Sequence, residues 1–190
     1  MDLKTLVYNT RSYRRFDESF RVDTNILEGL IDLARMTASA ANRQPLKYLI
    51  YNTPGDCERI FPNLAWAAYL KDWQGPAMGE RPSAYIIILG DRSITDSFNA
   101  DPGISAQTIM LGATDAGLGG CMIASIKRDA LRSELKIPEI YDIILVLAVG
   151  KPAEKVVIED IRDNDVKYWR DVNGIHHVPK RALDELILKL

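Results

Sequence analysis

The sequence contains few of the residues from which metal centres and disulfide frameworks are built. Its 190 residues include two cysteines, Cys57 and Cys121, and two adjacent histidines, His176 and His177. Two cysteines this far apart indicate neither a disulfide framework nor a cysteine-ligated metal site, and two histidines are too few for a zinc centre. We therefore expect no bound metal ion and a reducing compartment.

Long apolar runs and a dominant charge of one sign are also missing. No stretch approaches the ~18 consecutive apolar residues of a membrane span, and the N-terminal residues MDLKTLVYNTRSYRRF contain no apolar signal core. The formal net charge is −2, and acidic and basic residues are interspersed along the chain. These absences argue against a membrane or nucleic-acid partner, and they predict a cytoplasmic protein.

Several enzyme signatures are absent as well. No GxGxxG pattern follows a predicted strand, so a dinucleotide-binding fold is not indicated, and the GLGG run at 117–120 ends a helix instead of opening one. No paired carboxylates and no Ser-His-Asp arrangement stand out. The chain is instead 47% apolar, which is enough for one sizeable core, and we expect a single domain over residues 1–190.

The spacing of apolar residues predicts the secondary structure. Helices are predicted over residues 2–9, 25–36, 62–73, 104–116, 129–135 and 181–190, with a helical turn at 56–60. Strands are predicted over 47–51, 84–89, 121–125 and 143–149, and the apolar runs at 84–89 and 143–149 suit strands buried on both faces. Asp23 or Thr24 is the expected N-cap of the second helix, and Gly117 is the expected end of the fourth. Helices and strands do not alternate regularly, which favours an α+β fold.

Two loop segments are candidates for ligand binding. The first, RSYRRF at residues 11–16, places three arginines and a serine close together, as a phosphate site requires, although a charged surface turn has the same composition. The second, ASAANRQP at residues 38–45, has small side chains that let the backbone approach a flat ligand. A plain helix-to-strand loop explains the second segment equally well.

Taken together, these segments resemble the nitroreductase family of FMN enzymes. That family has an Arg/Ser/Arg segment near its N-terminus and then a small-residue loop that runs into Asn-x-Gln-Pro and a strand, as in RSYRRF and SAANRQPLKYLIY here. Three later elements follow in the same order: Asp101 and Gly103 opening an apolar helix, GLGGCMI at 117–123, and the basic pair Lys180 and Arg181. The resemblance covers essentially the whole chain.

The resemblance implies a nitroreductase-like α+β fold, with a central, mostly antiparallel sheet flanked by helices, in a homodimer whose interface completes the FMN site. Contacts to the phosphate and ribityl oxygens or to the pyrimidine edge fall on Arg11, Ser12 and Arg14, and further phosphate contacts fall on Lys180 and Arg181. Thr10 stands where the family usually has another arginine, a loss for which Arg15 or Lys180 would compensate.

Two other segments are implied to reach the flavin. The family's loop that approaches the flavin of the other subunit corresponds to Ala38, Ser39, Ala40 and Asn42. The strand end that approaches the reactive ring nitrogen corresponds to Ala124 and Ser125. A donor there would stabilise the charge that builds up on reduction, in the manner of an oxyanion hole. The Ser125 hydroxyl either serves this purpose or is an ordinary strand-end hydroxyl, and the basic pair near the C-terminus is either a phosphate site or solvated surface.

The aromatic segment between the first two predicted strands has two interpretations. Trp66, Tyr69 and Trp73 recur at spacings of three and four residues, so a helix would carry them on one face. Such a stripe is typical of a core, but the family builds the wall over its flavin from this part of the chain. On the second interpretation Tyr69, Lys71 and Trp73 lie near the substrate. The apolar helix at 104–116 is likewise either a core helix or part of the dimer interface.

The resemblance also implies a reaction. NAD(P)H delivers a hydride to the flavin and leaves, and an electron-poor acceptor such as a nitroaromatic or quinone then binds and is reduced, in ping-pong order. Because the cofactor carries this chemistry, no catalytic side chain is predicted. Two alternatives stay open: a flavin-binding redox sensor or carrier without physiological turnover, and a flavin-free interaction module that has kept the fold.

Overall fold

The computed structural model describes residues 1–189, in which the chain forms two sheets surrounded by helices. The helices are α1 Leu3–Asn9, α2 Thr24–Arg35, α3 Pro54–Ile60, α4 Asp101–Asp115, α5 Arg128–Leu135 and α6 Leu183–Leu186. The strands are β1 Phe16–Asp17, β2 Leu46–Tyr51, β3 Ala84–Asp91, β4 Gly119–Ile123, β5 Tyr141–Pro152, β6 Val156–Asp160, β7 Trp169–Arg170 and β8 His176–Lys180.

The larger sheet is antiparallel throughout. Its strands lie in the order β1-β5-β3-β2, and β4 also pairs with β5, each pair being antiparallel. The smaller sheet has the order β6-β8-β7, with a parallel pair between β6 and β8. The predicted α+β fold with a mostly antiparallel central sheet is therefore confirmed.

The central strand β3 is buried on both faces, as its apolar run predicts. Ile86 and Ile88 pack in a cluster with residues of α2 and α4, whereas Tyr85 and Ile87 pack on the opposite face with residues of α3, β4 and α5. Alternate side chains of a strand point to opposite faces, so a strand covered by helices on both sides is apolar at every position.

Helices α2 and α4 form the layer on one face of the sheet. The Asp23 side chain accepts a hydrogen bond from the Asn25 amide at 2.7 Å and caps α2, as predicted. Gly117 follows α4 with a φ of +71°, a left-handed conformation that glycine adopts without strain and that ends the helix. The buried face of α4 packs in the core of the chain, so the core interpretation describes most of this helix.

The predicted helix over 62–73 is wrong. Residues Phe61–Asn63 form one 3-10 turn, and the following segment to residue 83 contains turns and no helix. Backbone contacts with residues that follow β4 hold this segment. Leu64 forms an isolated β-bridge with Ile126, and the Ala65 amide donates to the Ser125 carbonyl at 2.9 Å. These tertiary hydrogen bonds outweigh the local preference for a helix, and the periodicity of the sequence contains no sign of them.

The C-terminal prediction is also corrected. Helix α6 covers four residues, Leu183–Leu186, instead of the predicted 181–190, and Leu190 lies outside the described residues. The polar stretch before it, which gave no strand signal, holds β6, β7 and β8. Pairing with β6 keeps the backbone extended as far as Lys180, so the helix starts later than the sequence pattern predicts. The predicted strand 121–125 likewise lies two residues earlier, at Gly119–Ile123.

Candidate functional site

A cationic cavity lies between α4, β4, β8 and the segment that precedes β1. Its volume is about 350 Å³, and its polar lining includes Arg11, Ser12, Arg14 and Lys180. It is also lined by Gln107 of α4, and no carboxylate of residues 1–189 is part of its wall. Three cations, three hydroxyl-bearing residues and one amide side chain thus surround a space whose wall, as far as residues 1–189 form it, contains no acidic group. Guanidinium and ammonium groups in this arrangement suit a phosphate or carboxylate ligand.

The backbone at Arg14 is held by a buried ion pair. The Glu154 carboxylate accepts hydrogen bonds from the amides of Arg14 and Arg15, the second at 3.1 Å, and it pairs with Arg170 at 2.9 Å. The side chains of Glu154 and Arg170 are 2% and 11% exposed. Breaking such a pair leaves a buried charge without a partner, so Glu154 fixes the path of the chain that carries Arg14.

Two aromatic rings hold the Arg14 side chain. Its guanidinium carbon lies 4.8 Å from the centroid of the Tyr168 ring, and its Nη1 lies 3.2 Å from Nε2 of His176. His176 is fully buried, and burial, followed by the positive charges of Arg14, Arg170 and His177, lowers its pKa to about 4. The ring is therefore neutral near neutral pH, and a neutral ring with its proton on Nδ1 accepts the Arg14 donor at Nε2.

The buried histidine predicts a pH dependence of stability. Because the pKa of His176 falls from 6.5 to about 4 on folding, the unfolded state binds more protons between these values. The free energy of unfolding therefore decreases as the pH falls through this window, by up to about 3 kcal/mol at 1.36 kcal/mol per pKa unit.

Urea unfolding across this pH window measures the effect. In the His176→Asn variant we expect a smaller loss of stability on acidification than in the wild-type protein, since the buried imidazole is gone. Carboxylates elsewhere contribute equally to both proteins, so the difference between the two curves isolates His176. Parallel curves would contradict the assignment.

The cavity floor depends on a close approach of two backbone segments. Ser12 bridges Gly120 of β4, and the Tyr13 amide donates to the Gly120 carbonyl at 2.9 Å. A Cβ at Gly120 would lie 2.8 Å from Sδ of Met110 and closer still to the Ala148 carbonyl oxygen. Glycine is therefore required at this position, and it brings the 10–14 segment against β4.

The loop at 38–42 lies outside the cationic cavity of its own chain. Asp101, at the start of α4 and 5% exposed, accepts hydrogen bonds from Oγ of Ser39 at 2.5 Å and from the Ala40 amide at 3.0 Å. Ala41 and Asn42 have positive φ angles of 50° and 53°, which are unusual for residues with a side chain. None of the predicted residues Ala38, Ser39, Ala40 and Asn42 lines the cationic cavity.

The end of β4 leads away from the cavity. Ala124 and Ser125 follow the last strand residue, and both are exposed. Their carbonyls accept hydrogen bonds from Arg128 at 3.3 Å and from the Ala65 amide at 2.9 Å. Met122, two residues earlier, lines the cavity, so the strand passes from the cavity to the turns at 64–83.

The predicted substrate-proximal residues lie in those turns. Tyr69 is 48% exposed, and its ring lies 4.9 Å from the ring of Tyr168, which lines the cavity. Trp73 packs under the Arg170 guanidinium at 4.7 Å, and Lys71 is exposed. Trp66 is buried and Tyr69 is not, so the aromatic residues do not form the single stripe that a helix would give.

Lys180 and Arg181 occupy different environments. Lys180 lines the cavity, whereas Nη1 of Arg181 donates to Oδ1 of Asn164 at 2.8 Å and pairs with Glu185 at 3.0 Å. The structure thus brings Arg11, Ser12, Arg14 and Lys180 together and places Arg181 elsewhere.

Sequence reasoning missed the residues that hold the cavity together. Glu154, Tyr168, Arg170 and His176 all lie in or near the small sheet, within a stretch that has no clear apolar periodicity. The KYWRD run at 167–171 was the available signal, because aromatic residues beside an arginine are unusual in a solvated tail.

Comparison with known proteins places the chain in a family. The sequence model of the nitroreductase family matches residues 7–151. The chain belongs to the nitroreductase family. A nitroreductase-like protein from Streptococcus mutans is 17% identical, with a TM-score of 0.69 over 80% of this chain and 90% of that one. An FMN-dependent nitroreductase from Clostridium difficile R20291 is 20% identical, with a TM-score of 0.65 over 85% of this chain and 92% of that one.

A third similar structure has a different named activity. CLA-ER, an enone reductase of a gut-bacterial fatty acid saturation metabolism, is 17% identical, with a TM-score of 0.68 over 86% of this chain and 94% of that one. At these identities the structural likeness establishes the nitroreductase-like fold and leaves the substrate undetermined.

Residues 1–189 contain neither a membrane-spanning helix nor a cluster of metal ligands. No helix there is long and apolar enough to cross a membrane. In the same part of the chain, no three or more His, Cys, Asp or Glu side chains come together as a metal site requires.

Proposed function

We propose that the protein is a cytoplasmic, FMN-dependent oxidoreductase that uses NAD(P)H to reduce a small electron-poor acceptor, and that it works as a homodimer with residues 1–190 as one domain. The observation that carries this proposal is the cavity that has Arg11, Arg14 and Lys180 in its wall and no carboxylate from the described part of the chain. In a member of the nitroreductase family, a cluster of unopposed cations of this kind supports binding of the FMN phosphate.

The residues present fit this cofactor. Nε of Arg11 is buried and has no hydrogen-bond partner within residues 1–189, which leaves a donor available to a ligand, while its Nη2 donates to the Val7 carbonyl at 2.8 Å. Charge-assisted hydrogen bonds from Arg11, Arg14 and Lys180 and a donor from Ser12 would hold the phosphate and ribityl oxygens. Gly120 lets the backbone of β4 approach the ligand closely.

The proposed dimer would bring the 38–42 loop of one subunit next to the cationic cavity of the other. The loop with Ala38, Ser39, Ala40 and Asn42 is shaped by Asp101 but does not line the cationic cavity of its own chain. In the proposed homodimer, this loop of one subunit completes the cavity of the other. Arg181, with its partners on its own surface, is a weaker candidate for the phosphate than Lys180.

The chain's own contribution is to bind and orient. FMN, when bound, supplies the transfer of electrons from NAD(P)H to the acceptor. Glu154, Tyr168 and His176 fix the position of Arg14, and the neutral His176 adds no further charge to the cavity. Tyr69, Lys71 and Trp73 in the 64–83 turns would cover the acceptor site and restrict the access of water, as apolar walls do in small-molecule pockets.

Ser125 provides a test of the strand-end donor. We expect the Ser125→Ala variant to bind FMN with a lower midpoint potential than the wild-type protein, by roughly 20 mV for a lost hydrogen bond of about 1 kcal/mol. The reason is that a donor at this position stabilises the negative charge of reduced flavin. Spectroelectrochemical titration measures the potential. Ser133→Ala, on the exposed surface of α5, is the control, and an unchanged potential in Ser125→Ala would refute the role.

The neighbours Lys180 and Arg181 provide a matched pair. Because Lys180 lines the cavity and Arg181 does not, we expect Lys180→Gln to weaken FMN binding roughly tenfold or more and Arg181→Gln to change it little, since a hydrogen bond to a charged group contributes about 1.5–3 kcal/mol. Fluorescence titration of the flavin-free protein measures both affinities. If both variants lose the same FMN affinity, the distinction between Lys180 and Arg181 is wrong and the Arg181 side chain also contacts the cofactor.

The enzyme activity itself is tested by NAD(P)H oxidation. Purified holoprotein is mixed with NADH or NADPH and with a nitroaromatic, a quinone or an enone, and absorbance at the nicotinamide band is followed. We expect acceptor-dependent oxidation with the parallel double-reciprocal plots of ping-pong kinetics. A yellow protein that turns over none of these acceptors would favour the redox sensor or carrier instead.

A further inference from the structure

A second cavity lies on the other side of the protein core. It is formed by the turn after β1, by α3 and by the approach to β3, and its volume is about 230 Å³. Phe61, Pro54, Pro82 and Met78 supply apolar walls. It shares no lining residue with the cationic cavity, so it is a separate space.

The floor of this cavity contains hydrogen-bond donors without partners. Tyr85 is 0% exposed, and its Oη has no hydrogen-bond partner among residues 1–189. Tyr85 lines the cavity together with Cys57, Arg81 and Glu18, and burial raises the pKa of its hydroxyl well above the ordinary value, so the hydroxyl keeps its proton. Nε of Arg81 is likewise buried and has no hydrogen-bond partner in the described part of the chain. Buried polar groups are normally hydrogen-bonded, and leaving one unpaired costs about 1–3 kcal/mol.

The charged groups around the cavity also lack partners of opposite sign. Within the described chain, neither Arg21 nor Arg81 lies within 4.0 Å of a carboxylate, although Glu18 and Glu58 line the same cavity. The Glu18 carboxylate instead accepts a hydrogen bond from the Gly79 amide. The guanidinium carbon of Arg81 lies over the Phe61 ring, 4.1 Å from its centroid.

We propose that this cavity is a binding site for a small apolar carboxylate. The carboxylate would accept hydrogen bonds from Tyr85 Oη and from Arg81, with Arg21 at the mouth, and the apolar body of the ligand would pack against Phe61, Pro54 and Met78. A carboxylate is acceptor-only, and the unpartnered groups are donors.

The neighbouring groups are compatible with an anion. Burial raises the pKa of the Cys57 thiol to about 11, so this group is uncharged near neutral pH and does not repel a carboxylate. Glu58 is exposed on α3 and solvated, and the charge of Glu18 is directed at the Gly79 amide. The Arg81 guanidinium already lies over the Phe61 ring, so little of its conformational freedom is lost when it binds a ligand.

Benzoate is a suitable probe, and benzamide is its neutral control of the same shape. We expect benzoate to raise the melting temperature of the full-length protein in a concentration-dependent way, with benzamide having a much smaller effect. Isothermal titration then gives the affinity. We expect it to fall about tenfold or more in Tyr85→Phe and in Arg81→Gln, since each loses a hydrogen bond to a charged group.

Two further measurements make the result decisive. The Arg14→Gln variant should keep the part of the benzoate response that Tyr85→Phe and Arg81→Gln abolish, because Arg14 lines only the other cavity. Tyr85→Phe removes one oxygen and keeps the packing, so its stability without ligand should equal or exceed that of the wild-type protein. Equal responses to benzoate and benzamide, undiminished affinity in the Tyr85→Phe and Arg81→Gln variants, or loss of the response in Arg14→Gln would each overturn the proposal. FMN binding is independent of all these outcomes.

Discussion

Replacing Arg14 by glutamine is expected to lower the affinity for FMN by roughly 10- to 150-fold. The change removes one charge-assisted interaction with the phosphate or ring, and hydrogen bonds to charged groups contribute about 1.5–3 kcal/mol. It also removes the partner of His176 Nε2 and the cation over Tyr168. Fluorescence titration of the flavin-free protein measures the affinity, and circular dichroism checks that the variant is folded.

The next residue supplies a matched control. Arg15 has the same side chain, but its Nε pairs with Glu80 at 3.3 Å and it does not line the cavity. Arg15→Gln should therefore bind FMN nearly as well as the wild-type protein, because the lost partner of Arg15 is Glu80 and not the ligand. If both variants bind FMN equally well, Arg14 does not hold the cofactor.

The second large effect is expected at Asp101. In Asp101→Ala, the Ser39 hydroxyl and the Ala40 amide lose their acceptor, and the loop with its positive φ angles loses the contact that fixes it. We expect a loss of about 1–3 kcal/mol of stability and a decrease of about tenfold or more in FMN affinity, because the loop completes the site of the partner subunit in the proposed dimer.

The opposite end of the same helix provides the control for Asp101. Asp115 is 60% exposed and pairs only with the N-terminal amine, at 3.4 Å. Asp115→Ala should leave both stability and FMN affinity nearly unchanged. An Asp101→Ala variant that is less stable but binds FMN normally would show that Asp101 shapes the loop without any consequence for the cofactor.

The fold was predictable where burial imposes a simple pattern. The apolar run at 84–89 is strand β3, and the run at 143–149 lies within β5, because a strand covered on both faces is apolar throughout. The segment at 62–73 was not predictable in this way. Its aromatic spacing fits a helix, but the Ala65 amide bonds to Ser125, far along the chain, and a sequence pattern contains no information about that partner.

The residues of the candidate site also differ in whether the sequence alone points to them. The sequence offers Arg11, Ser12 and Arg14 as candidates because their chemistry is concentrated in one short segment, and Lys180 is a candidate through the resemblance to the family; the structure places all four in the wall of one cavity. The buried partners Glu154 and His176 were not recognisable, since their role depends on contacts between residues more than 130 positions apart. In the sequence, Lys180 and Arg181 form a single basic pair. In the structure the backbone is extended at Lys180, the last residue of β8, so the side chains of these two consecutive residues point in different directions.

The most direct test of the cationic cavity compares FMN with riboflavin, which has the same ring and ribityl chain but no phosphate. Flavin-free protein is titrated with each, and the oligomeric state is measured by light scattering in the same samples. We expect a dimer that binds one FMN per chain, and that binds riboflavin at least about 100-fold more weakly, as the loss of charge-assisted bonds to three cations requires. A monomer, or equal affinity for the two flavins, or no binding of FMN, would contradict the proposed site.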